Sequence, residues 1–549
     1  MKNSIPKNRI LLRGAALALA LCLLFSCASC GKKNTATALR ADLSGRVYTL
    51  DPQYCSTALE RCLLKNCMEG LLRRLPDGTM AEGCAENYSV SADGLRYTFT
   101  LRENLQWSDG EPLTAKDFVF AFQRIQQGSG SAAAREQFAA IAGMAAGERG
   151  SLGVAAPDDR TVIITLSRTD PLLPEKLAEP EAFPCREDFY TGTHARYGNT
   201  LENMIYNGPY TVKSWESAGL RLIPNSRYTG LTPAQNTGVI ITLGRDNTME
   251  RFLEGLTDCC RVDSNTLGQL SGGKTSSLLT FRNGTVSLLL NQASPQLAQE
   301  AMRQALCYSF PLAQYAQGGD LPDSYEYAGS IIPGAARLYD ESYTDLTAKG
   351  FSLGSVTYPD GSSTSDFRRS DQLTITYNAR AAAAALEQVK ELPQGLTLLL
   401  PKGSALEGFC GWLQKQWLDQ LGLVVNLAIV DADTYRSRLA KGDFTLALYS
   451  YTAGDELHTV FRHYGTGGGA PVQCADPHYG QLLDMASTSR NVNEAARLFA
   501  NAEALLVDQF IVMPLFYTES YFAMAKGVSG IQSSADGTEL FFATAKREG

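Results

Sequence analysis

The sequence predicts an α/β protein of more than one domain, and three observations predict it. The chain has 549 residues, more than one hydrophobic core accommodates, so it should divide into two or three domains. Residues 396–400 form a continuous apolar run, Phe409, Leu413, Trp417 and Leu421 follow at helical spacing, and 424–430 is a second apolar run. Strand, helix and strand in that compass make a right-handed βαβ unit with parallel strands. Upstream, Leu95, Tyr97, Phe99 and Leu101 alternate with Arg96, Thr98 and Thr100, the period of a half-buried strand.

Hydrophobic residues make up 44% and charged residues 19% of the chain, the balance of a soluble globular protein. Net charge is −8, and the first 30 residues hold Lys2, Lys7, Arg9 and Arg13 with no acid, so the remainder is more acidic still. A nucleic-acid surface would need clustered Lys and Arg instead. Neither a G-x-S-x-G elbow nor an H-E-x-x-H helix occurs, so no enzyme and no cofactor is expected.

Residues 1–29 read as a secretion signal: a basic start, then an apolar run over 15–25 that is too short for a comfortable transmembrane helix. The run ends in Leu24-Phe25-Ser26-Cys27-Ala28-Ser29-Cys30-Gly31. This resembles a bacterial lipobox, in which a Cys after small residues is lipidated and becomes the mature N-terminus. Cys27 has Leu24 three places upstream. Cys30 has the small pair Ala28-Ser29 before it and is favoured. Residues 30–40 would be a tether, and no later segment is apolar enough to span a bilayer. Three of the 13 Cys lie in the signal region; the other ten show no metal-ligand spacing and are expected as buried small apolar residues.

In chain order, 47–52 (VYTLDP) is expected as a short strand and 59–72 as an amphipathic helix. Tyr88 and Val90 start a strand that Asp93-Gly94 turns back into the alternating run, forming a hairpin. Thr114 with Asp117 is a capping-box-like pair, and Phe118, Phe122 and Ile125 make one apolar stripe of the helix that follows. Residues 126–150 read as a surface helix pair or a loop. Strands are expected over 161–166, 239–243, 287–291, 444–449 and 513–517, and helices over 301–308, 381–389, 435–439 and 493–507.

The stretch 85–125 carries more than secondary structure. Asp93-Gly94-Leu95, residues 97–102, Trp107 with Ser108-Asp109-Gly110-Glu111, and residues 114–120 follow the order DGLxYTFxLR, WSDGxP, TAxDFVF. The block resembles the signature of the family 5 extracellular solute-binding proteins, the peptide- and nickel-binding components of bacterial ABC importers. Asn207-Gly208-Pro209-Tyr210 is similar to a second family element and would fix a rigid turn between lobes. The resemblance implies an α/β, two-lobed periplasmic-binding-protein-like fold (type II, Venus flytrap) with an extra subdomain in the first lobe. The implied division is 41–55, 205–275 and 513–549 for lobe I, 56–204 for the extra subdomain, and 276–512 for lobe II.

The resemblance also implies a site. The family's LDP element, Leu50-Asp51-Pro52 here, opens a loop facing the cleft, which makes Tyr54 and Cys55 candidate ligand contacts. In peptide-binding members a strand like 444–449 leads into WxADYxDP, whose first Asp pairs with the peptide's α-ammonium. Here Tyr451 stands for the Trp, and the Asp-Tyr is replaced by Gly454 or shifted to Asp455. Tyr449, Tyr451, Gly454 and Asp455 are therefore expected at the ligand, Asp455 being either the ammonium anchor or the family's second, structural Asp. His458 and His463 raise the nickel branch, but their spacing does not set both rings on one helical face, and no metal site is expected. The implied protein is an extracytoplasmic receptor held to the cell membrane only by its lipid. It would capture peptides between its lobes and deliver them to a permease with an ATPase subunit, the ligand shifting the lobes toward closure. A metal chelate, haem or an oligosaccharide is the alternative ligand, and an envelope hydrolase the alternative class.

Overall fold

The computed structural model describes residues 38–145, 152–244, 248–262, 267–270, 275–322, 324–339, 341–452, 456–534 and 536–547. The secretion signal with Cys27 and Cys30, and the loop with Gly454 and Asp455, lie outside the described residues.

A mixed sheet of eleven strands runs through the molecule. Its path is Val425–Val430, Leu396–Pro401, Leu446–Thr452, Thr275–Leu290, Val512–Ala525, Cys259–Val262, Leu39–Leu43, Val239–Leu243, Gly219–Pro224 and Tyr210–Glu216, with Tyr325–Tyr327 joined to Val512–Ala525. The two long strands, Thr275–Leu290 and Val512–Ala525, are the spine. They run antiparallel from the Thr275–Ala525 pair to the Leu289–Val512 pair, with register shifts at 275/277, 281/284 and 286/287. Each irregularity adds local twist, which lets the pair bend where it passes from one lobe into the other.

Burial divides the molecule into those two lobes. One core gathers side chains from 39–259 with Phe281 and 522–545, and the two larger cores of the other lobe cover the faces of the sheet over 286–516. The second lobe shows why its strands read as unbroken apolar runs. Leu396, Leu398 and Leu400 enter one core and Leu399 the other, so both faces of the strand are buried. Leu396–Pro401 pairs in parallel with Val425–Val430 across the helix Glu407–Leu421, as the βαβ expectation requires. Gly422 ends that helix in the left-handed region, and buried Trp417 donates its Nε1–H to the Leu306 carbonyl at 3.1 Å.

In the first lobe, Ala85–Val90 and Arg96–Leu101 form the expected hairpin and continue through Thr161–Thr165 to Val154–Ala155. Tyr97, Phe99 and Leu101 are buried while the intervening residues are not. Asp117 accepts the Thr114 N–H at 2.8 Å and starts the helix Ala115–Gln126, whose Phe118, Phe122 and Ile125 are buried. Among the described residues of the stretch expected as a helix pair or loop, one short helix forms, Ala132–Gln137.

Three expectations change. Residues 47–52 are not a strand: Glu60 accepts the Tyr48 and Thr49 N–H groups, and Leu50 N–H donates to Gly198. The first strand among the described residues is Leu39–Leu43, which begins in the expected tether because it completes a parallel ladder with Val239–Leu243. Asn207-Gly208-Pro209-Tyr210 lies inside the first lobe, not between lobes. Gly208 N–H donates to Cys67, and a β-carbon there would stand 2.5 Å from Met68 N, so close backbone approach is what requires the glycine. All ten cysteines among the described residues are free and buried.

Candidate functional site

The lobes face each other across a cavity of about 360 Å³. Its first-lobe wall starts with the helix Ala58–Cys67. Thr57 Oγ1 accepts the Glu60 N–H at 3.1 Å, and Glu60 reaches back to the Ser56 and Thr57 N–H groups at 2.9 and 3.0 Å, a full capping box. Burial opposes the charge on Glu60, yet four backbone N–H groups hold its carboxyl below the usual range. So anchored, the helix presents Arg61 and Lys65, one turn apart on one face, to the cavity.

Those two cations organise a buried ion network. Lys65 Nζ lies 2.8 Å from Glu179 and 2.9 Å from Glu539. Arg61 pairs with Glu179 at 3.3 Å and with Glu181, and Arg74 pairs with Glu175 at 3.1 Å. Burial works against the Lys65 ammonium, but the two carboxylates outweigh it and raise its pKa. The carboxylates themselves diverge. Burial raises Glu539 above the usual carboxylate range despite Lys65, whereas Glu179, equally buried, is held below it because it faces Lys65, Arg61 and Arg74 together.

The second-lobe wall carries Arg337, Tyr339, Glu456, His458, Thr459 and Phe499. His458 accepts the Arg462 Nε–H on its Nε2 at 3.2 Å, which places its own proton on Nδ1. Burial, then the charges of Arg462 and of Lys176 from the opposite lobe, hold His458 down at about 3. Counted around the cavity, Arg61, Lys65, Arg74, Lys176 and Arg337 balance Glu175, Glu179, Glu456, Asp536 and Glu539. The wall is thus highly charged yet neutral, suited to a ligand that carries both signs.

A second chamber of about 500 Å³ lies within the first lobe and shares Lys65 and Arg74 with the cavity. Met68, Leu72, Leu75, Phe183 and Phe541 make it largely apolar.

Of the residues expected at the ligand, Tyr54, Cys55, Tyr449 and Tyr451 are described, and none of these four lines this cavity. Cys55 is buried in the first-lobe core, its Sγ–H donating to Pro52 at 3.3 Å, and burial pushes its thiol up. Tyr54 is 43% exposed and donates its hydroxyl to Gly128 at 3.3 Å, away from the cavity. Tyr449 and Tyr451 point to one face of their strand, as period 2 dictates, and both meet His463. The Tyr449 hydroxyl lies 2.8 Å from His463 Nε2, and Tyr451 stacks on the ring at 4.0 Å. Gly454 and Asp455 lie outside the described residues, but Glu456 directly after them lines the cavity. No group of metal-ligating residues occurs among the described residues.

The sequence reading missed Arg61, Lys65, Arg74, Glu179 and Glu539. Arg61 and Lys65 left a signal, the charged i, i+4 stripe of an amphipathic helix. Glu179 and Glu539 left none, because their partner is over a hundred residues away in each case. The reading also passed over Gly268-Gln269-Leu270-Ser271-Gly272-Gly273-Lys274-Thr275, which has P-loop spacing. A P-loop holds phosphate at a helix N-terminus, whereas Thr275 opens a strand here.

The family model for bacterial extracellular solute-binding proteins, family 5 (middle), matches residues 79–472. The chain is 22% identical over 550 residues to the oligopeptide-binding protein OppA of Bacillus subtilis (strain 168), covering 94% of each. It is 26% identical over 493 residues to the probable deoxycholate-binding periplasmic protein YgiS of Escherichia coli (strain K12), covering 85% of this chain and 86% of that one. Among solved structures it matches the unliganded open form of the periplasmic murein tripeptide binding protein MppA, with a TM-score of 0.67 and 20% identity over 93% of this chain and 98% of that one. The fold is the two-lobed type II α/β fold, and the family match covers well over half the chain. The chain belongs to the bacterial extracellular solute-binding proteins, family 5.

Proposed function

We propose that the chain captures peptides in the interlobe cavity and delivers them to the permease of an ABC importer whose ATPase subunit supplies the energy. It acts as a receptor, not an enzyme. Cys30, or Cys27, holds it to the outer face of the cell membrane through a lipid, with 41–55, 205–275 and 513–549 forming lobe I, 56–204 its extra subdomain and 276–512 lobe II.

The observation that carries this reading is the charge pattern of the cavity, whose paired cations and carboxylates from both lobes match a zwitterion. Each lobe has its own core and the spine strands join them, so a ligand bridging the walls favours the closed arrangement. The names of OppA and MppA point the same way. Asp455, the residue before the wall residue Glu456 in the chain, is the proposed anchor for the α-ammonium.

Thermal shift with di- to pentapeptides, free or N-acetylated, tests it. Free peptides are expected to stabilise the protein, and Asp455→Ala to weaken free-amine peptides far more than acetylated ones. Equal losses reject the anchor, and product release from any peptide rejects the receptor class. The apolar chamber behind Lys65 and Arg74, with the name of YgiS, favours an amphipathic carboxylate as the second reading. Stabilisation by submicellar deoxycholate but by no peptide selects it.

A further inference from the structure

Two turns of the extra subdomain reach the opposite lobe, and they are built alike. In each an aspartate precedes a glycine at positive φ, 84° at Gly78 and 74° at Gly94. In each the aspartate is exposed while the glycine at the tip of the turn is buried. What buries the glycine is an arginine of the second lobe. A β-carbon on Gly78 would overlap Arg337 Cδ, and one on Gly94 would stand 3.0 Å from Arg490 Cζ. Arg490 Nη1 also donates to the Ala92 carbonyl at 3.1 Å, a hydrogen bond from one lobe to the other.

Thr79 donors hold Asp77 below the usual range with Arg337 adding to the effect, and Ser91 and Leu95 donors do so for Asp93 with Arg490 adding. On the second lobe the two arginines form one unit: the Tyr339 hydroxyl donates to the Ser489 carbonyl, tying 337–339 to the loop that carries Arg490. Tyr339 in turn faces the extra subdomain. Burial pushes its phenol up to about 12, and the Glu175 and Asp170 carboxylates add to it.

The turns share no core with the second lobe, and the chain passes between the cores at the spine. Opening at the spine would therefore separate turns from arginines without disturbing either core. We infer that the extra subdomain is an interlobe latch: its Asp77-Gly78 and Asp93-Gly94 turns receive Arg337 and Arg490 and favour the lobe arrangement seen here over a more open one, whatever ligand the cleft takes. Exposed charge pairs are individually weak, so the latch biases the open–closed equilibrium rather than locking it.

The test needs no ligand, so its failure and that of the peptide reading are separate. Small-angle scattering of the full chain at low salt is expected to give a compact wild type, a larger radius of gyration for Arg337→Ala/Arg490→Ala, and a shift in the same direction for Asp77→Asn/Asp93→Asn. The Asn variants keep the acceptor that shapes each turn and remove only the charge, and an unchanged thermal unfolding midpoint shows that both pairs of variants are folded. Salt near 1 M, where screening acts within about 3 Å, should move the wild type toward the variants. A wild-type radius equal to that of both variants, compact or expanded, overturns the latch.

Discussion

Arg124 Nη2 lies 2.5 Å from Asp51 Oδ2, with both side chains buried. The contact joins the helix of the signature stretch to the loop of the LDP element, and Arg124 also donates to Gln53 Oε1 and lies over the Tyr190 ring at 4.1 Å. Burial raises the Asp51 carboxyl despite Arg124. Arg124→Met should cost about 3–5 kcal/mol, since it leaves a buried carboxylate without its cation. Adding Asp51→Asn should recover part of the loss, and urea unfolding of the single and double variants measures both.

His458 gives a pH dependence with a defined sign. It is held down at about 3 in the folded protein, whereas an unfolded His takes a proton below about 6.5. Between those limits the unfolded chain binds the extra proton, so this contribution is complete above about 6.5 and is lost as pH falls toward 3. The slope is at most about 1.4 kcal/mol per pH unit. Unfolding free energies measured from pH 4 to 7 should fall more steeply for wild type than for His458→Asn, and parallel curves would discard the assignment.

Lys65 is the shared cation of Glu179 and Glu539. Lys65→Met should destabilise by about 3–5 kcal/mol because both carboxylates lose it at once. Glu539→Gln should cost much less, since Glu179 keeps Lys65 charged. Chemical denaturation decides the order.

Trp417 fills the second-lobe core and donates to the Leu306 carbonyl. Trp417→Ala should cost about 3–5 kcal/mol through the cavity it leaves. Trp417→Phe should cost less, by the lost hydrogen bond and part of the packing, and calorimetric melting separates the two.

Lipidation is tested in cells. Cys30→Ser, or Cys27→Ser, should release the protein to the medium. Membrane retention of both variants would remove the lipid anchor from the proposal.

Periodicity and turn chemistry made much of the fold legible. The hairpin around Gly94, the helix started by Asp117 and the βαβ unit closed by Gly422 all depend on residues a few places apart, so local sequence contains the cause. The cleft was legible mainly through family resemblance, and that resemblance led to Tyr54, Cys55, Tyr449 and Tyr451. Whether a strand or loop side chain meets a cavity or a neighbouring element depends on what packs beside it. Here the His463 ring received both tyrosines and the first-lobe core received Cys55.

By itself the sequence determined the family, the α/β class and most elements, because each is written in short-range patterns. Tertiary structure alone decided which distant groups meet, in the cleft and away from it. Lys65 with Glu539, Arg124 with Asp51, and Arg490 with Ala92 are separated by 474, 73 and 398 positions. No periodicity links residues so far apart, and only tertiary packing, within the first lobe for the first two pairs and between the lobes for the third, brings them within hydrogen-bond reach.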